Sequence, residues 1–191
     1  MLTETIDLSF LQTIIDNSTL LEADASGPKV LLTSKRTIIK IFRRKRLLSS
    51  ALWRPYSLRF IKNAEKLGKL GIPSITPIRH IKIAKHPITA VEYFPLEGRT
   101  LQEIYHEDPL KLTRKSNDVK KFIYTLHEKG IYFRSLHLGN IVVTPDGKFG
   151  LIDIADMRFF GKPLSTGQKK RNSEHFKNHL KRNNLSKINL P

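Results

Sequence analysis

Four side chains in the stretch from 131 to 158 carry the chemistry of this sequence: Ser135, His137, Asn140 and Asp153. Asn140 closes Arg134-Ser135-Leu136-His137-Leu138-Gly139-Asn140, and Asp153 follows Leu151-Ile152 at the end of a second apolar run. Between them the turn Thr144-Pro145-Asp146-Gly147 joins two short branched segments, which predicts a hairpin. A hairpin that brings a neutral amide and one carboxylate together supplies oxygen ligands suited to Mg²⁺ on a nucleotide. Taken singly, either residue reads equally well as an ordinary turn or strand-end residue. A fifth group, Lys40, lies in Ile38-Ile39-Lys40-Ile41-Phe42 and is on its own a solvent-facing strand lysine.

The elements that must position these groups follow from periodicity and turn residues. A short helix is expected over 7–16, strands over 19–24, 30–33 and 37–42, a helix over 55–70 ended by Gly71-Ile72-Pro73, and strands over 78–83 and 88–93. Pro95-Leu96-Glu97-Gly98 then breaks the pattern and marks the clearest boundary, giving an N-terminal region 1–94 and a C-terminal region 95–191. Beyond it, helices are expected over 100–105 and 116–129, with Gly130 as C-cap and the hairpin following. The fold class is α+β, an antiparallel sheet with one main helix followed by a mainly helical region carrying a β-hairpin.

Together these residues resemble the protein-kinase superfamily, and the match is closest to the bacterial lipopolysaccharide-core kinase family with its short toluene-tolerance branch. The step from Ser135 to Asn140 is five residues and that from Asn140 to Asp153 thirteen, as in the catalytic loop and metal-binding Asp of that superfamily. The resemblance covers about 20–156 and implies a small bilobal kinase-like fold that binds ATP and Mg²⁺. It implies that Asn140 and Asp153 hold the metal, that Lys40 contacts the α- and β-phosphates, and that Glu65 steadies that lysine from the helix. It also implies that backbone groups near Gly27 approach phosphate and that Glu92, Tyr93 and Phe94 meet an adenine edge.

The sequence departs from the family at Ser135, where active members carry the aspartate that accepts the acceptor's proton. A serine hydroxyl is not a base at neutral pH, so His137 or solvent is expected to take that proton, or the protein is a nucleotide-binding pseudokinase. His137 also reads as a residue that braces the loop.

The chain has 34 Lys and Arg against 17 Asp and Glu, a formal charge of +17, and this field attracts polyanions. Eleven of the basic residues fall between 25 and 64, where there is no Asp or Glu, with the densest run at Arg43-Arg44-Lys45-Arg46. A second block follows Lys162: Lys169, Lys170, Arg171, Lys177, Lys181, Arg182 and Lys187. No aromatic residues interleave these runs in a stacking pattern, so nucleic acid is a weaker expectation than an anionic glycolipid or membrane-surface acceptor. A basic nucleic-acid-associated atypical kinase is the third reading. The absence of cysteine excludes disulfides, thiolate zinc sites and Cys nucleophiles. With no signal-like N-terminus and no apolar run of spanning length, a cytoplasmic protein is expected, with peripheral placement at the inner membrane face left open.

Overall fold

The computed structural model describes residues 1–43, 55–183 and 185. Of the two basic blocks, Arg44-Lys45-Arg46, Arg54 and Lys187 lie outside the described residues. The fold is α+β, and the chain divides into two compact units: 1–65 with 75–95, and 66–74 with 96–191.

The first unit is built on a six-stranded sheet in the order β1-β5-β6-β4-β3-β2. Its strands are β1 (Leu2–Ile6), β2 (Thr19–Asp24), β3 (Gly27–Leu32), β4 (Ile38–Arg43), β5 (Thr76–Ile83) and β6 (Ile88–Phe94). Five of them pair antiparallel as expected, but β1 pairs parallel with β5, from Leu2 opposite Arg79 to Ile6 opposite Ile83, so the sheet is mixed.

The alternation of β4 assigns its two faces. Ile39 and Ile41 join Ile6, Leu11, Leu31, Ile81, Ile83 and Ala90 in one apolar cluster, with Leu11 supplied by α1 (Leu8–Asp16). The opposite face carries Lys40 and Phe42 and meets α2 (Tyr56–Lys69), where Phe60 lies 5.7 Å from the Phe42 ring and 5.2 Å from that of Tyr93. Burial of a side chain as large as Phe60 stabilises this face by roughly 2–3 kcal/mol. Ser57 extends the contact by hydrogen bonding His80 across 3.0 Å.

In the second unit, β7 (Arg99–Thr100), α3 (Leu101–Glu107), α4 (Pro109–Arg114) and α5 (Ser116–Glu128) precede β8 (Ile131–Phe133). Thr100 and Glu103 form a reciprocal capping box at the start of α3, and Asp108 caps α4 through the Leu110 N–H. Gly130, at φ +70°, ends the α5 segment as its sequence implies; a Cβ there would stand 2.2 Å from the Lys162 carbonyl oxygen, so no other residue fits. The hairpin is β9 (Ile141–Val143) with β10 (Phe149–Leu151), extended by β7 into a three-stranded sheet, while β11 (Met157–Phe159) pairs with β8. Last comes α6 (Thr166–Arg182), whose Ser165–Gln168 capping box opens a helix that buries only Asn172, Phe176 and Leu180.

Candidate functional site

Asn140 and Asp153 are brought to one end of the hairpin by its register. Ile141 opposes Leu151, and the Ile152 N–H donates to the Asn140 carbonyl at 3.1 Å, so Asp153 follows directly. A side-chain bond fixes the Asn140 amide: its Nδ2 donates to the Ser135 carbonyl at 2.8 Å. That leaves Oδ1 as the atom able to ligate. Asp153 sits at φ 51°, ψ 44°, a left-handed conformation that a non-glycine residue adopts at a cost of about 1 kcal/mol and that clusters at functional sites. Its side chain is exposed at the start of a 3-10 turn, Ile154–Asp156.

This donor set fits a hard cation that keeps part of its shell in water and phosphate oxygen, as Mg²⁺ does. Among the described residues no group of three or more His, Cys, Asp or Glu side chains converges to hold a metal alone.

His137 braces the loop. Its Nδ1 accepts the Gly139 N–H at 3.1 Å, which places the ring proton on Nε2, and the ring stacks on that of His179 with centroids 4.1 Å apart. Burial, reinforced by His179 and opposed by Asp153, pushes its pKa down to about 4. The expectation that His137 takes a substrate proton does not fit this arrangement: one nitrogen already accepts a bond and the other carries hydrogen.

Ser135 has a partner that the sequence reading did not name. Its Oγ donates to Asp156 Oδ2 at 2.5 Å, and Arg134 Nε lies 3.5 Å from the same oxygen. The strand pair explains the proximity: Met157 opposes Phe133 in the β11–β8 ladder, so the next positions outward are Asp156 and Arg134. Asp156 Oδ1 is buried without a hydrogen-bond partner among the described residues. The available signal was a second carboxylate three residues after Asp153 in Asp153-Ile154-Ala155-Asp156.

In the first unit Lys40 is buried, 7% exposed, with Nζ 5.7 Å from the Phe60 ring centroid, so it is not the solvent-facing lysine that the strand pattern alone suggests. Glu65 does not steady it. Glu65 is exposed on α2, and its carboxylate makes no ion pair among the described residues. The polar side chains that α2 does bury are Ser57 and Asn63, each three residues from Phe60 on the inner face.

Gly27, at φ +102°, closes the tight β2–β3 turn opposite Asp24. The turn is a poor phosphate cradle: the Ser26 N–H is engaged by the Asp24 carboxylate, Pro28 has no N–H, and Arg43 donates to the Pro28 carbonyl.

Glu92 and Tyr93 lie between two ladders, paired to Ile39 and Ile38 on the β4 side and to Arg79 and Pro77 on the β5 side. Their backbone is therefore committed within the sheet. Phe94 pairs only with Thr76 on the β5 side, so an open strand edge begins there. The Glu92 side chain is a strut, with Thr37 Oγ1 donating to Oε1 at 2.6 Å and Arg79 Nε to Oε2 at 2.6 Å, while Arg79 Nη1 reaches Glu4 Oε2 at 2.5 Å. These bonds tie the residue leading into β4 to β6, β5 and β1.

Of the second basic block, Lys169 pairs with Glu128 at 2.6 Å, while Lys170, Arg171, Lys177, Lys181 and Arg182 are exposed along α6. No helix among the described residues is long and apolar enough to cross a membrane. Compared with family models and with curated proteins, the chain matches none.

Proposed function

We propose that the chain is a kinase-like phosphotransferase that binds ATP with Mg²⁺ and transfers a phosphoryl group to a hydroxyl, on a sugar or other acceptor of an anionic, envelope-related glycolipid. The observation that carries this reading is the Asn140–Asp153 arrangement: an amide whose nitrogen is fixed on the loop carbonyl, beside an aspartate held in a left-handed turn at the hairpin end. Phosphoryl transfer needs charge neutralisation and positioning above all, and two hard oxygen donors serve that need. In this reading Asn140 Oδ1 and the Asp153 carboxylate would hold Mg²⁺, which would supply charge neutralisation at the phosphate oxygens. His137 orients the loop. Exposed cations along α6 supply the attraction for an anionic acceptor or the membrane face that carries it.

One observation favours a pseudokinase as second reading: Ser135, and not a carboxylate, follows Arg134 in the loop. A thermal-shift titration with Mg·ATP on wild type and Asp153→Asn, followed by ATP hydrolysis on the same samples, separates the outcomes. Under the first reading, wild type shows a Mg²⁺-dependent shift and turnover, and the variant loses both. A shift without turnover selects the pseudokinase, and no shift in wild type overturns both.

A further inference from the structure

We propose that Ser135 and Asp156 act as a relay that replaces the carboxylate missing from the loop, with Ser135 touching the acceptor and Asp156 acting through it. The inference rests on the nucleotide-binding reading above and assigns the proton's path within that site.

Three features of the geometry support it. The Ser135 hydroxyl donates to a carboxylate oxygen at 2.5 Å, the length of a charge-assisted O–H···O⁻ bond. With its own proton committed to Asp156, Oγ turns lone pairs outward and becomes an acceptor. Ser135 is also half-buried within the loop that Asn140 ties down, so its position is fixed relative to the candidate metal ligands. Finally, Asp156 Oδ1 is a buried carboxylate oxygen with no hydrogen-bond partner among the described residues, a condition native proteins seldom keep without a use. Arg134 near Oδ2 is largely exposed, so it offsets the carboxylate's charge only weakly.

The step balances. The acceptor hydroxyl oxygen forms its bond to the γ-phosphorus while the bond from that phosphorus to the β,γ-bridging oxygen breaks, and the electron pair leaves on the nucleoside diphosphate. The hydroxyl proton passes to Ser135 Oγ as the serine's own proton passes to Asp156 Oδ2, and Asp156 later releases it to water. No oxidant or further reactant enters.

The test uses the full chain with Mg·ATP as probe, water as phosphoryl acceptor, and four variants: Asp156→Asn, Ser135→Ala, Ser135→Asp and the double Ser135→Asp/Asp156→Asn. Asp156→Asn and Ser135→Ala are expected to lower kcat for ATP hydrolysis about 100-fold, the usual worth of a positioned proton acceptor, while KM and the Mg·ATP thermal shift stay at wild-type values. The double variant is expected to recover most of the lost turnover, because its carboxylate stands directly in the loop. Ser135→Asp alone is expected to retain turnover. A purely structural Asp156 would move the melting temperature and would not be rescued by Ser135→Asp. Turnover unchanged in either of the first two variants overturns the relay, as does a double variant that stays inactive or a wild type that binds Mg·ATP without turning it over. Absence of any Mg·ATP shift in wild type overturns the nucleotide reading itself. Should Asp156→Asn fold poorly, Ser135→Ala, which leaves the carboxylate in place, decides alone.

Discussion

The imidazole of His137 lies flat on that of His179, with ring centroids 4.1 Å apart and planes within 5° of parallel. Two stacked rings that both carried charge would repel, and burial lowers the pKa of each. Both are therefore neutral at neutral pH.

The sign of the resulting pH dependence is fixed by that depression. A histidine with a folded-state pKa below its ordinary 6.5 binds fewer protons in the folded state, so its contribution is whole above 6.5 and is lost as pH falls toward about 4. The melting temperature is expected to fall across this window, and His137→Asn, with an oxygen available to the Gly139 N–H, is expected to flatten the fall. Melting curves of both proteins between pH 7 and pH 4 check it; equal slopes would contradict it.

Asp153→Gly separates stability from binding. Relief of the left-handed strain is worth about 1 kcal/mol and is opposed by the greater chain entropy of glycine, so denaturation should place the variant within about 1 kcal/mol of wild type. The Mg²⁺-dependent response to ATP should nevertheless vanish. A variant that keeps that response would remove Asp153 from the metal site.

The Glu92 strut is expected to be the costliest polar group to remove from the first unit. Burial alone would raise its pKa, but the Thr37 hydroxyl and the Arg79 guanidinium outweigh it and hold the carboxyl below its usual range. Glu92→Ala leaves Arg79 and Thr37 facing a gap and should destabilise by about 3 kcal/mol in urea unfolding. In wild type the same bonds contribute above the ordinary carboxylate pKa and are lost as pH falls below it.

Asn172 does comparable work in the second unit, its Nδ2 donating to the Phe133 carbonyl at 2.7 Å and its Oδ1 meeting His127 Nε2 at 3.0 Å. Asn172→Ala orphans both groups and should cost about 2 kcal/mol. Amide exchange should rise first at β8, next to the loop that carries Ser135.

Where the apolar pattern was strong, the sequence was readable: the β2–β4 strands, α2, the β5–β6 pair, α5 and the β9–β10 hairpin fall where periodicity and turn residues put them. It was unreadable where an element borrows its stability from a neighbour. Strand β1 buries only Ile6 and exists as the parallel partner of β5, a pairing that leaves no local mark. Helix α6 hides Phe176 and Leu180 among nine charged or histidine side chains, so its apolar stripe disappears under the charge. The candidate metal residues were readable because one hairpin of short loop length positions both. Asp156 was not, because its meeting with Ser135 depends on two three-residue strands separated by the whole hairpin.

That β8–β11 ladder makes the chemistry of the loop a property of alignment. Sliding β11 by one residue would set Met157 or Ala155 beside the loop in place of Asp156 and turn each side chain to the opposite face. A single inserted residue between Ile154 and Met157 would thus leave every candidate site residue present in the sequence and still part Ser135 from Asp156, whose bond lasts only as long as the neighbouring strand keeps step.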